Sequence, residues 1–445
     1  MAWFLGYSDI TRTTGTRFLI LHQKFIKLKC MKHNILKRLL VFSIMLPLVF
    51  TTCTKAPEDL PKDPVPIDLD AIQISLVESG NSFAFDIFKL ILENAEESEN
   101  VIISPLSISY ALSMTLNGAD GATRDAMLDA LRVSGLTPEE INGPYRELTK
   151  ALLSVDKRVI ISIANSVWTE NNFTVKKSFI DILTEYYNAE SLPFDIDDPT
   201  APDKINAWIE DKTNGLIKEM VDKLSDNAVM LLINAIYFKG KWKMQFDPDD
   251  TSEKPFYKPS GTEINVQMMK QTEDFKVFAG NGFILAEFPY GQGNFVMDII
   301  LPDSKTGTAG LLPSVTGDAF AGWTGQLGER EVNVSIPRFK YGFKKTLKEI
   351  LTDMGMGIAF TDFADFTNIA ETPPLLINEV THQAFIETNE EGTEAAAATV
   401  VEVGVTSMPP PPLEFNADHS FLYIIREIET NSIIFMGRVA DPLAE

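Results

Sequence analysis

The stretch Glu391–Pro412, EGTEAAAATVVEVGVTSMPPPP, constrains the fold of this chain more than any other. After Glu391 it carries only two charges, Glu394 and Glu402, and it closes on four consecutive prolines. It is too apolar for a solvated linker, and its Val-rich half and Gly404 work against a helix. Taken alternately from Thr393, one face reads Thr393, Ala395, Ala397, Thr399, Val401, Val403, Val405. None of these is charged and none is large, whereas the other face carries both glutamates. This is the period-two pattern of a strand with one face fit for burial. No proline interrupts Gly392–Met408, so no ladder donor is lost before Pro409–Pro412 end the stretch. The small residues at its start suit entry between existing strands. A charge at Thr393 or Ala395 would have to be buried unpaired, at considerable cost.

The chain has 445 residues, enough for one large domain or two to three ordinary ones, and 45% of them are hydrophobic. A formal charge of -23 disfavours nucleic acid, heparin-like polyanions and anionic membrane surfaces as partners, because each would be repelled. The two cysteines, Cys30 and Cys53, both precede the folded region, so the body holds no disulfide and no thiol chemistry. Of four histidines, only His382 and His419 fall in the body, too few for a His-rich metal site.

From Met31 the sequence has a basic start (Lys32, Lys37, Arg38), an apolar run from Leu39 to Phe50, then small polar residues and Cys53. That is the architecture of an export signal, too short for a stable membrane span. Residues 1–52 therefore read as an upstream extension and signal peptide. A single cysteine after the apolar run resembles a bacterial lipoprotein signal, in which Cys53 would be lipidated. Thr52 and Phe50 depart from the usual residues of that signal, and plain secretion is the alternative. Residues 53–69 read as a Pro-rich acidic tether. The expected location is a bacterial outer-membrane lipoprotein, periplasmic or surface-facing, or the exterior.

Residues 70–445 show no repeat and no dividing linker, which favours one domain. Asn81–Ala95 has helical apolar spacing. Ser104–Pro105 starts a helix that Asn117–Gly118 stops, and a further helix breaks at Asn214–Gly215. Ala228–Trp242 suits a strand buried on both faces. FVMDIILP, EVNVSIPRFKY, FLYIIREIE and SIIFMGRV add strands. Helices dominate the first half and strands the second, which gives an α+β fold with large sheets. There is no nucleophile elbow, phosphate loop, zinc-protease motif or C-x-x-C. The 62 carboxylates read as a solvated acidic surface, so no enzyme, cofactor or metal is expected.

Six ordered segments resemble the serpin family. They are NVIISPLSI (Asn100–Ile108), INAWIEDKTNGLI, NAIYFKGKW (Asn234–Trp242), IPRFKY, INEVTHQAFIETNEEGTEAAAA and FNADHSFLYIIREIETNSIIFMGRVADP. The likeness covers roughly residues 75–443. It implies a serpin fold with about nine helices and three β-sheets, a large five-stranded one among them. It also implies an exposed reactive-centre loop, here about residues 391–412, and suicide inhibition of a protease. The hinge would be Gly392, Thr393, Glu394, Ala395, Ala396, Ala397 and Ala398, none of them bulky, proline or basic. Counting from Gly392 by the family's usual hinge length and back from Phe415–Asn416 both place the scissile bond at Thr406–Ser407, with Val405–Thr406 and Ser407–Met408 as the neighbouring alternatives. A small β-branched residue before the cut suits an elastase-like or broad-specificity serine protease, and possible cysteine-protease targets follow from the same breadth. No Lys or Arg occurs from Glu349 to Ile425, which disfavours trypsin-like targets. By resemblance, Ser104, Ser107, Asn234 and His382 form a cluster that controls loop insertion. Asn165, Trp242 and His419 are read as structural. The expected partner is a target protease held covalently by a monomer. The competing expectation is a non-inhibitory serpin-fold binding protein.

Overall fold

The computed structural model describes residues 63–305, 307–371, 374–392 and 411–444. The reactive-loop positions Thr393–Ala398, Thr406 and Ser407, and the lipidation position Cys53, lie outside the described residues. The described residues belong to one compact unit.

Eight α-helices occur among them: α1 (Ala71–Glu93), α2 (Pro105–Leu116), α3 (Gly121–Ala130), α4 (Pro138–Ser154), α5 (Lys177–Tyr187), α6 (Ala201–Lys212), α7 (Gly317–Thr324) and α8 (Lys348–Leu351). Their ends follow local chemistry. Ser104 caps α2 by accepting from the Ser107 N–H, and Pro105 follows at the first helical position. Asp70 and Gln73 form a capping box that starts α1 ten residues before the apolar periodicity becomes plain at Asn81. After α6 the chain turns through Asn214 and Gly215, both at positive φ.

The strands are β1 (Val101–Ile103), β2 (Val159–Glu170), β3 (Glu190–Phe194), β4 (Met230–Gly240), β5 (Ser252–Tyr257), β6 (Glu263–Ala279) and β7 (Phe283–Tyr290). Then come β8 (Phe295–Pro302), β9 (Gly328–Pro337), β10 (Phe339–Thr346), β11 (Thr381–Thr388), β12 (Leu413–Asn416), β13 (Phe421–Glu427) and β14 (Ile433–Val439). One sheet runs β1-β14-β13-β8-β7-β6-β9-β12, with β5 on β6. Its middle strands β8, β13 and β14 are buried at every residue. The apolar run EVNVSIPRFKY does not stay in one sheet. It breaks at Arg338, whose N–H goes to Gln267, so that β9 joins the large sheet and β10 leaves it.

The five strands implied for the main sheet are all present, in two groups. One is β3-β2-β4 and the other is β10-β11. β2 and β4 pair antiparallel from Val159↔Gly240 to Thr169↔Met230. β10 and β11 pair antiparallel from Phe339↔Thr388 to Thr346↔Thr381. Among the described residues, no ladder joins β4 to β11. A cavity of about 840 Å³ is lined by the start of each strand, including Leu231, Ile233 and Thr381. Another, of about 250 Å³, is lined by their far ends, including Tyr237, Lys239 and Phe385. The two strands thus run side by side in the same direction, each with an edge toward the other. β4 is accordingly only half-buried at Met230–Leu232 and Tyr237–Lys239, on either side of a buried centre, not buried throughout as its composition suggested.

Candidate functional site: the gap between β4 and β11

At the upper end of the gap the chain leaves β11 and reverses within two residues. Asn389 and Gly392 exchange backbone hydrogen bonds, each at 3.1 Å, around Glu390–Glu391. Gly392 bridges antiparallel to Asn389 on one side and to Lys241, just past β4, on the other. It therefore occupies the first position of an antiparallel strand lying between β4 and β11.

Several contacts hold this turn. The Trp242 N–H donates to the Glu391 carbonyl at 3.0 Å, and its indole N–H donates to the Asn389 carbonyl at 2.9 Å. The Trp242 ring stacks on Tyr290, with centroids 4.4 Å apart and planes 11° apart. Phe246 N–H donates to the Glu390 carbonyl at 3.0 Å. The Glu390 carboxylate accepts from Arg338 Nε at 2.7 Å and from the Thr251 hydroxyl. Burial works to raise the Glu390 carboxyl, but the bonds from Arg338 and Thr251 outweigh it and hold it below the usual range.

Gly392 sits at φ +97°, and a Cβ there would lie 2.4 Å from Trp242 N and 2.5 Å from Gly240 O. Both neighbours are backbone, so neither can swing away. Gly392→Val is expected to cost roughly 1–3 kcal/mol in backbone strain alone and more from the clash. Calorimetry should show a lower melting temperature, and hydrogen exchange should show the Trp242 amide opening faster. An unchanged melting temperature would remove Gly392 from the site.

Lower in the gap, the first turn of α2 reaches both edges. The Ser107 hydroxyl donates to Asn234 Oδ1 on β4. The Ser104 N–H donates to His382 Nε2 on β11 at 3.1 Å. The Ser104 hydroxyl donates to the Ile434 carbonyl at 2.7 Å and accepts from the Ser107 N–H at 3.2 Å. Asn234 Nδ2 donates to Asn165 Oδ1 at 2.6 Å, and Asn165 Nδ2 donates to the Tyr187 carbonyl at 2.7 Å. The four residues named from the sequence thus share one network, and Asn165 belongs to it as well. His382 is buried, and desolvation lowers its pKa to about 4. Its Nε2 accepts a bond, so the neutral ring carries its proton on Nδ1.

His419 stands apart from the gap. Its Nε2 lies 2.6 Å from the Pro302 carbonyl and its Nδ1 2.8 Å from Asp418. The sequence reading passed over Glu390, Arg338 and Thr251. Their one signal was the acidic pair Glu390–Glu391 directly ahead of an otherwise small, neutral segment.

This arrangement defines a class of protein: a body whose main sheet is parted where the chain leaves β11, ahead of a segment with a strand-like sequence. The family model for "Serpin (serine protease inhibitor)" matches residues 78–442, and the chain belongs to the serpin family. An uncharacterised serpin-like protein of Thermococcus kodakarensis is 35% identical over 379 residues, 82% of this chain and 86% of that one. A serine protease inhibitor of Cyanea capillata is 35% identical over 363 residues, 80% of this chain and 95% of that one. Among solved structures, human thyroxine-binding globulin with bound thyroxine superposes with a TM-score of 0.76 at 25% identity, over 84% of this chain and all of that one. The family is one of protease inhibitors and not of catalysts, although thyroxine-binding globulin shows that its fold also serves in binding.

Proposed function

We propose that the chain is a suicide inhibitor of an elastase-like or broad-specificity serine protease. The observation that carries this reading is Gly392, bridged antiparallel between Lys241 and Asn389 at the mouth of the gap. The protease nucleophile adds to the Thr406 carbonyl. Collapse of that adduct forms the acyl-enzyme ester, breaks the Thr406–Ser407 bond and hands the proton to the departing Ser407 amine. The freed segment from Thr393 on then continues the register that Gly392 begins, between β4 and β11. At about 3.3 Å per residue, Gly392–Thr406 spans roughly 50 Å, and the tethered protease is carried that far before the ester hydrolyses. The target supplies the catalytic groups and the inhibitor supplies the spring.

The body acts as a single monomeric domain from about residue 70. An export signal ahead of it, with Cys53 lipidated, holds it at a bacterial outer membrane, and without that lipid it is secreted. Thr406 fits a small primary pocket, and the lack of Lys and Arg from Glu349 to Ile425 turns away trypsin-like enzymes. The second reading, a non-inhibitory binding protein, draws on the likeness to thyroxine-binding globulin.

Mixing the protein with elastase, followed by a denaturing gel and mass spectrometry, tests the two. A covalent band at the summed mass, with a released peptide beginning at Ser407, is the expected result. Cleavage without that band by elastase, subtilisin and papain alike would favour the binding protein.

A further inference from the structure

Residues 63–70 do not hang free. They run along the body with Val65, Ile67 and Leu69 half-buried against the main core, while Pro66, Asp68 and Asp70 face outward. This is a period-two pattern, obscured in the sequence by two prolines. Val65 is fastened at both of its backbone groups. Its N–H donates to Asn294 Oδ1 at 2.8 Å, and its carbonyl accepts from Asn294 Nδ2 at 2.7 Å. A side-chain amide here does what a neighbouring strand would do. Asn294 is fully buried and also donates to Glu427 at 3.2 Å, so its orientation is fixed from behind. Pro64 packs on Gly293, where a Cβ would lie 3.4 Å from Pro64 Cγ.

Gly293 and Asn294 close the turn between β7 and β8, and the start of that turn grips the upper end of β4. Gly291 N–H donates to the Lys241 carbonyl and Lys243 N–H to the Pro289 carbonyl, each at 2.7 Å. Tyr290 between them stacks on Trp242, whose N–H groups hold Glu391 and Asn389. One short turn therefore carries the docked segment at one end and the hinge clamp at the other.

We propose that Pro64–Leu69 is a latch on the gap, with Asn294 as its positioning residue. Docked, it immobilises the β7–β8 turn and, through Tyr290 and Trp242, keeps the upper end of β4 against the hinge. Released, it frees that turn and the gap opens more often. This rests on the reading that the gap opens to admit the loop. The test is therefore made without any protease.

The full chain carrying Val65→Pro, Ile67→Ser and Leu69→Ser loses the N–H donor and the apolar seat without changing any fully buried residue. Asn294→Leu attacks the same joint from the receptor side. Amide hydrogen exchange is read at Trp242, Lys243 and Gly291, with Val167 in β2 as a remote reference. In the triple variant the three amides are expected to exchange at least tenfold faster while Val167 is unchanged. A synthetic peptide of residues 60–70, added in excess, is expected to slow them again. Wild-type exchange at Trp242 and Lys243 in both the triple variant and Asn294→Leu would overturn the latch. A latch confirmed this way in a protein that traps no protease would count against the inhibitory reading alone.

Discussion

Cutting the chain at Thr406–Ser407 is expected to raise the melting temperature by roughly 20 °C or more, with each kcal/mol of added stability moving it by about 2–4 °C or less in a domain this large. The uncut body keeps two edges, β4 and β11, without a ladder between them among the described residues. An entering strand would satisfy both edges along their length, and its small inward face, Thr393 to Val405, would fill the space without strain. Before cleavage the loop is held at both ends, by the turn at Gly392 and by β12, which is paired to β9. Cleavage removes that second restraint. Scanning calorimetry on uncut and elastase-cut protein checks the expectation. A cut form that melts where the uncut form does would mean that the loop stays outside the sheet.

Lowering the pH from 7 to 5 is expected to open the gap about twentyfold more often through His382 alone. The ring is neutral in the closed body with a pKa of about 4 and regains an ordinary value near 6.5 once exposed. A histidine with a depressed pKa contributes stability that is fully present above about pH 6.5 and is lost as pH falls toward 4. The whole loss is about 3 kcal/mol. The structural reason is plain: a protonated Nε2 cannot accept the Ser104 N–H, and that bond ties β11 to α2. His382→Gln should remove this pH dependence. Comparing the variant with the wild type separates His382 from Asp298, which burial and the nearby Glu287 raise to about 6 against the pull of Arg426. Hydrogen exchange along β11 from pH 7.5 to 5 makes the measurement. Equal slopes for the two proteins would show that His382 does not gate the sheet.

What could be read from the sequence was local. Ser104–Pro105 and Asn117–Gly118 bound α2 because caps and stops act within a few residues. The period-two pattern of the reactive stretch is an expectation from its small alternate side chains, and its positions after Gly392 lie outside the described residues. Pairing was not legible, since nothing in EVNVSIPRFKY announces that β9 and β10 enter different sheets. The separation of β4 from β11 is likewise a property of two segments about 150 residues apart. Glu390 and Arg338 meet across 52 positions, and each alone reads as one more surface charge. Val65, Ile67 and Leu69 were masked by the proline-rich composition of the segment that contains them. Of the candidate site, Ser104, Ser107, Asn234 and His382 entered through family resemblance, and their joint network became visible only in three dimensions.

The central claim is that residues after Gly392 become a strand between β4 and β11. Hydrogen exchange by mass spectrometry on the elastase-treated protein tests it most directly. Residues 393–405 should exchange freely before cleavage and become protected afterwards, to the same degree as β4 and β11 and together with them. Residues 393–405 that still exchange freely after the Thr406–Ser407 bond is cut would contradict the account, whatever the gel shows.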